Sequence, residues 1–179
     1  MRWCIAVVGI LACATVSARV VAQAQTTTRS TANLPSVARR IAKAARYATF
    51  VTVDSAGHPQ ARTVQPLLPD SQWVVWFATN PRTRKVGEIE RDPHVALHYF
   101  DHITASYVTL TGTARVVRDR ATKEAHWDRA WSTFYSDRDT SVVLIEVRTQ
   151  RLEVVSPVLG VTGDAATWRP PSVQVGRRP

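Results

Sequence analysis

The chain has 179 residues, a length that fits one domain. Its formal charge is +9, which favours acidic partners such as phosphate ligands. The basic residues are scattered, however, and the absence of a long Lys/Arg block or a nucleic-acid motif argues against nucleic acid.

Residues 1–24 read as a Sec-type signal peptide. Arg2 supplies a positive start, Cys4 to Val16 is an almost unbroken apolar run, and Ala22-Gln23-Ala24 offers the small-x-small pattern of a cleavage site. The run is too short for a stable membrane anchor. The expected mature chain starts at Gln25 and is periplasmic or secreted. Both cysteines, Cys4 and Cys13, lie inside the segment removed, so the mature chain carries no disulfide and no thiolate metal site. Two of the basic residues, Arg2 and Arg19, leave with it, which brings the charge to +7. Residues 25–32 read as a polar, flexible leader.

A helix is expected from Asn33, a good N-cap, with Pro35 in its first turn. Leu34, Val37, Ile41, Ala44 and Ala48 would share one face, opposite Arg39, Arg40, Lys43 and Arg46. The spacing fits packing on a sheet with a solvated basic face better than lying on an anionic membrane. The period then changes to two. Strands are expected at Thr49–Val53, Gln60–Leu67 and Trp73–Thr79, then a short helix at Thr83–Arg91 stopped by Asp92-Pro93. Val95–Phe100 is a strand. In the next, Tyr107–Val117, Val108, Leu110, Gly112, Ala114 and Val116 alternate with Tyr107, Thr109, Thr111, Thr113 and Arg115. Asp119 opens a helix carrying Trp127, Trp131 and Phe134. Strands at Ser141–Arg148 and Arg151–Val155 follow, then a Pro- and Gly-rich tail over 158–179 with Trp168 as its large anchor. The fold class is therefore mainly β (α+β): six to seven antiparallel strands in a small barrel, with two or three peripheral helices around a domain at 33–157.

His94, His98 and His102 invite a metal reading, but Val95, Tyr99 and Phe100 favour a strand, where four residues span about 13 Å, too far for one ion. No metal site is expected, and no catalytic acid or base can be nominated. The stronger constellation is cationic. Arg84 and Lys85 fall in the first turn of a helix, where free N–H groups and the positive dipole end already favour an anion. Two cations there are electrostatically misplaced unless an anion binds. Arg62, on a neighbouring strand, could add a bidentate contact. From these residues alone, a phosphate cradle and an ordinary exposed basic turn stand about level.

Gly57-x-Pro59-x-x-Arg62, then Phe77-x-Thr79-Asn80-x-x-Thr83-Arg84-Lys85, then a helix ending in Asp92-Pro93-x-Val95-Ala96-Leu97, resembles the flavin mononucleotide (FMN) binding stretch of the pyridoxamine 5′-phosphate oxidase-like family. Tyr107 to Ala114 and the Trp-bearing helix look closer to its general stress protein 26 branch. The resemblance covers residues 45–157 and implies a split β-barrel that dimerises, with each FMN between two subunits. It implies that Arg62, Arg84 and Lys85 hold the FMN phosphate, with Thr83 assisting. Thr63, Val64 and Gln65 would run their backbone along the ring edge. Ala78 and Thr79 would contact the ribityl chain or ring, and Tyr107 stands where the oxidase has a glutamine reaching the flavin. Two departures argue against pyridoxamine 5′-phosphate oxidation itself. Leu67 replaces the lysine that grips the substrate phosphate, and the oxidase's C-terminal Trp-to-Arg segment has no clear counterpart beyond Trp168-Arg169. The resemblance implies an FMN-dependent oxidoreductase. A non-catalytic carrier of FMN, deazaflavin or haem, or a cofactor-free periplasmic interaction domain, are the alternatives.

Overall fold

The computed structural model describes residues 34–176. The signal segment, the leader and the Asn33 cap lie outside the described residues. Within them, seven strands form one antiparallel sheet in the order β2-β1-β4-β5-β6-β3, with β7 on the free part of β6. The strands are β1 (Ala48–Val53), β2 (Pro59–Val64), β3 (Val74–Thr79), β4 (His94–Asp101), β5 (Ser106–Val117), β6 (Val143–Val155) and β7 (Ser172–Gln174). Three helices accompany them: α1 (Leu34–Ala45), α2 (Arg84–Arg91) and α3 (Arg120–Ala125). This is an α+β, split-barrel-like fold.

One row of the register explains the core. Arg62 of β2 faces Phe50 of β1, which faces Leu97 of β4, then Leu110 of β5 and Leu152 of β6. The last four are fully buried, and Phe77 of β3 meets Phe50 edge-on at 5.0 Å between ring centroids. The alternation read in the sequence puts these residues inside and their neighbours outside. α1 closes the inner face through Leu34, Val37, Ala38, Ile41 and Ala42. Ala44 is exposed instead, and Ala48 already belongs to β1, because the chain turns at Arg46 in a left-handed conformation (φ 59°).

The second core lies on the opposite face of β3 and β6. Trp76, Val117, Trp131 and Leu144 build it, with Leu67, Val74, Ala78, Trp127 and Tyr135 around them. The single helix expected from Asp119 is two pieces: α3, and a 3-10 turn at Arg129–Thr133 restarted by Asp128, whose carboxylate takes the Ala130 N–H at 2.7 Å. The break lets Trp127 and Trp131 meet at right angles while Phe134 points to solvent. Lys123 fixes the following loop: it is buried, and its Nζ donates to the carbonyls of Arg138 (2.6 Å) and Asp139 (3.0 Å).

Three more expectations change. β2 ends at Val64 rather than Leu67, because β1 offers no partner beyond Ala48 and Pro66 has no N–H to donate. Leu67 crosses to β3 instead, donating its N–H to the Trp76 carbonyl at 2.7 Å. The two strands expected at 141–155 are one, β6, which bends where the β5 register shifts between Thr111 and Gly112. Trp168 does not anchor the tail; it is 85% exposed on a turn tied by Asp164, and the chain beyond it rejoins the sheet as β7.

Candidate cofactor-binding site

Four elements converge at the start of α2. β3 ends at Thr79, and the turn Asn80–Thr83 leads straight into Arg84. That turn is set by Asn80, whose side-chain oxygen accepts the Arg82 N–H at 2.8 Å and whose carbonyl accepts the Thr83 hydroxyl at 2.9 Å. Thr83 occupies the N-cap in extended conformation, yet its hydroxyl is spent on Asn80 and makes no cap bond. The first turn of α2 contains no acidic residue, only Arg84 and Lys85. The turn therefore has no side-chain cap and no acidic residue of its own; the Val86 N–H donates to the Thr83 carbonyl at 3.0 Å, and the start of the helix keeps the chemistry that an anion satisfies.

Lys85 turns inward. Its Nζ donates to the buried Thr79 hydroxyl at 2.9 Å, and that hydroxyl lies 3.3 Å from Thr83 Oγ1. Desolvation holds the amine below its ordinary pKa, the nearby Arg62 charge adds to the effect, and Glu88 opposes it. A group so placed gains from an added negative charge. Arg62 reaches the same region from β2. Its Nη1 donates to Thr52 Oγ1 at 2.5 Å and its Nη2 to Glu88 Oε2 at 2.7 Å. Arg84 is exposed at the rim.

The structure thus brings Arg62, Thr79, Thr83 and Lys85 into one cluster, with Arg84 beside them. The side chains of the other expected residues point elsewhere. Thr63 faces outward from β2, in the row Thr63, Thr49, His98 and Thr109 that lies on the other face of the sheet. Tyr107 lies on that outer face too, 5.4 Å from the His98 ring. Val64 packs against the main core, Ala78 against the second one, and Gln65 is exposed past the end of β2. A groove of about 370 Å³ lined by Val51, Val53, His94, Ala96, Thr111 and Gln150 lies elsewhere on the sheet and borders the cluster only through Thr52. The groove's lining holds no Lys, Arg, Asp or Glu, so an anion finds its charged partners at the cluster.

The three histidines are dispersed along and after β4. His94 is exposed beside Asp92 (2.8 Å), His98 is half-buried against the Thr109 hydroxyl (2.9 Å), and His102 is exposed in the turn. Burial lowers the pKa of His98. Sequence reasoning missed Glu88, which is 5% exposed at the centre of the cluster. Its spacing of three from Lys85 and four from Arg84 would have suggested a surface helix pair, whereas its partner comes from β2. It also missed the tie on Arg39. That side chain does not belong to a solvated face: its guanidinium binds the carbonyls of Pro69 and Asp70 and lies 4.4 Å over the Trp73 ring.

Comparison with known proteins gives the family. The model of the family described as "Pyridoxamine 5'-phosphate oxidase like" matches residues 36–156. A pyridoxine/pyridoxamine 5'-phosphate oxidase of Crocosphaera subtropica is 30% identical over 116 residues, 59% of this chain and 52% of that protein. One of Edwardsiella ictaluri is 36% identical over 63 residues, 35% of this chain and 29% of that protein. The chain thus spans about half the length, or less, of these curated relatives. Among solved structures, a Clostridium acetobutylicum protein related to general stress protein 26 of B. subtilis superposes with a TM-score of 0.63 at 18% identity, covering 75% of this chain and 89% of that one. A pyridoxamine 5'-phosphate oxidase-related, FMN binding protein of Nostoc punctiforme gives 0.55 at 15% identity, covering 78% and 92%. A heme binding protein of Mycobacterium smegmatis gives 0.56 at 21% identity, covering 76% and 56%. These structural likenesses are likenesses of fold. With the family model spanning more than half of its length, the chain belongs to the pyridoxamine 5'-phosphate oxidase-like family.

Proposed function

We propose that the chain is an exported, homodimeric FMN-binding protein that acts as a flavin-dependent oxidoreductase. The observation that carries this reading is the convergence of Arg62 and Lys85 on the start of α2, whose first turn holds two cations and no acid. Arg62, Arg84 and Lys85 would hold the phosphate, with Thr83 assisting. Thr79 would stand at the ribityl chain, with Ala78, Thr63, Val64, Gln65 and Tyr107 as the expected ring contacts. When bound, the flavin supplies hydride or electron exchange at its ring, while the protein supplies position and charge. Haem or a deazaflavin held without chemistry is the second reading, supported by the likeness to the Mycobacterium smegmatis heme binding protein.

The visible spectrum of the purified protein, titrated with FMN and separately with haem, distinguishes the two. The phosphate claim is tested by comparing FMN with riboflavin, which lacks the phosphate. Arg62→Ala and Lys85→Ala should each weaken FMN roughly 10- to 150-fold, because a hydrogen bond to a charged group is worth about 1.5–3 kcal/mol. Riboflavin binding should barely change. Arg40, exposed on α1, is the control; Arg39 is unsuitable because it ties down the β2–β3 loop. Equal weakening of both flavins would assign the two residues to fold support. If the wild type binds neither flavin nor haem, the cofactor-free interaction domain takes their place.

A further inference from the structure

The cluster that gathers cations also carries its own anion. Glu88 lies one helical turn after Lys85, and its Oε2 accepts both the Thr52 hydroxyl at 2.5 Å and Arg62 Nη2 at 2.7 Å. Arg62 Nη1 donates to the same Thr52 hydroxyl. The three groups form a closed ring between β1, β2 and α2, and the Glu88 side chain is only 7% exposed. The Arg62 guanidinium therefore already faces a carboxylate. Lys85 differs, since it is held by the neutral Thr79 hydroxyl.

We propose that Glu88 is a specificity-determining residue of this site: its carboxylate competes with a ligand's phosphate for Arg62 and narrows the preference for phosphorylated over unphosphorylated flavin. The inference rests on the flavin reading given above. Arg62, Lys85 and Glu88 together carry one net positive charge, against a phosphate that carries nearly two negative ones. A guanidinium has five N–H donors, so Arg62 can still reach a phosphate while bound to Glu88. Its hold on the phosphate is then weaker, because the carboxylate already takes Nη2 and offsets the guanidinium's charge in a region where screening by water and salt is weak. Glu88 thus differs from a carboxylate that merely orients its arginine. Removal of an orienting group weakens the ligand, and removal of a competing charge strengthens it.

Glu88→Gln keeps the size of the side chain and an oxygen to accept from Arg62, and it deletes the charge. Calorimetric titration of the full exported chain with FMN and with riboflavin reads the outcome. The variant should bind FMN about tenfold more tightly, the equivalent of one decade in affinity, with riboflavin unchanged. The gain should vanish in the Arg62→Ala/Glu88→Gln double variant, because the two effects share one contact. An unchanged or reduced FMN-to-riboflavin ratio in Glu88→Gln overturns the proposal and leaves the flavin reading standing, as the wild type still binds FMN. Absence of flavin binding in wild type and variant alike overturns both. If Glu88→Gln does not fold, Glu88→Asp, which draws the carboxylate back from Arg62, takes its place: a rise in the FMN-to-riboflavin ratio sustains the proposal, and an unchanged or reduced ratio overturns it.

Discussion

At Gly112 the β5 backbone passes so close to Arg148 of β6 that a Cβ would overlap the carbonyl oxygen of that residue. The register shift of the β5–β6 pair falls at the same place. Glycine is needed here for close approach rather than for a left-handed turn. Gly112→Ala must push the two central strands apart and should cost about 1–3 kcal/mol of stability, the usual toll of overpacking. Urea unfolding measures it, and a loss below roughly 0.5 kcal/mol, the range of an ordinary surface change, would mean that the strands yield freely. In the sequence Gly112 is legible only as one inward position among several, since the strand across from it is not visible. The same limit explains the site. Arg84, Lys85 and Thr83 are adjacent in the chain and announce the α2 turn, and Arg62 is found through its motif. Glu88 is not legible, because the 26 residues that separate it from Arg62 hide a contact made by folding. Arg39 is misread for the same reason, its partners Pro69 and Asp70 lying thirty residues on.

Among elements, alternation fixes the interior of each strand well and its ends poorly. β5 is read almost to the residue, because twelve residues of period two have no competing reading. The ends of β2 depend on where β1 stops, and β7 exists only because β6 has an edge to give it. Local polar chemistry sets the turns between elements, and it carries a pH dependence. Asp54, Asp92, Asp101, Asp119, Asp137 and Asp164 each accept hydrogen bonds within a turn or a helix cap. The carboxyls of Asp54 and Asp92 are held below their ordinary value of 3.8 chiefly by the N–H groups of His58 and His94. Those of Asp101, Asp119, Asp137 and Asp164 are lowered chiefly by the hydroxyls of Thr104, Thr122, Thr140 and Thr167. All six have folded values below the unfolded one, so the unfolded chain binds more protons as the solution becomes acidic. Their contribution is complete above the unfolded value and is lost as pH falls through the folded ones. The urea midpoint should therefore fall gently as pH drops through 6.5, where the unfolded chain protonates His98 before the folded one does, and fall steeply below about 4 as the aspartates follow. A midpoint that stays level down to pH 3 would show that these turns form equally well with protonated side chains.

At the scale of the molecule, the two faces of the sheet are treated differently. α1 closes the inner face, while the outer face of β1, β4 and β5 presents Thr49, Val51, Ala96, His98, Tyr107 and Thr109 half-buried. Towards the end of that face, the end of β4 and the loops expose further apolar side chains: Phe100 on the strand, and Tyr47, Ile103 (78%), Val158 and Trp168 on the loops. Ser106 and Ser156, bonded at 2.8 Å, tie the β4–β5 turn to the segment that carries Val158. Several exposed apolar residues at one end of a sheet mark a surface that gains from being covered. In the homodimer proposed above, a second copy of the chain would cover it by two-fold symmetry, without requiring a different partner. The site gives the same direction, because Tyr107 and Thr63 lie on this outer face, away from the cluster of Arg62 and Lys85 in their own subunit. Export and pairing can be read in one experiment: native mass spectrometry of the protein recovered from the periplasm or the medium. The mass should equal twice that of a chain starting at Gln25, and Trp168→Ala together with Ile103→Ser should shift it towards the single chain. A chain retaining Met1 would overturn the export reading. A protein that remains single at micromolar concentration with FMN present would leave the outer face without its second copy, and with it the idea that two subunits share each flavin.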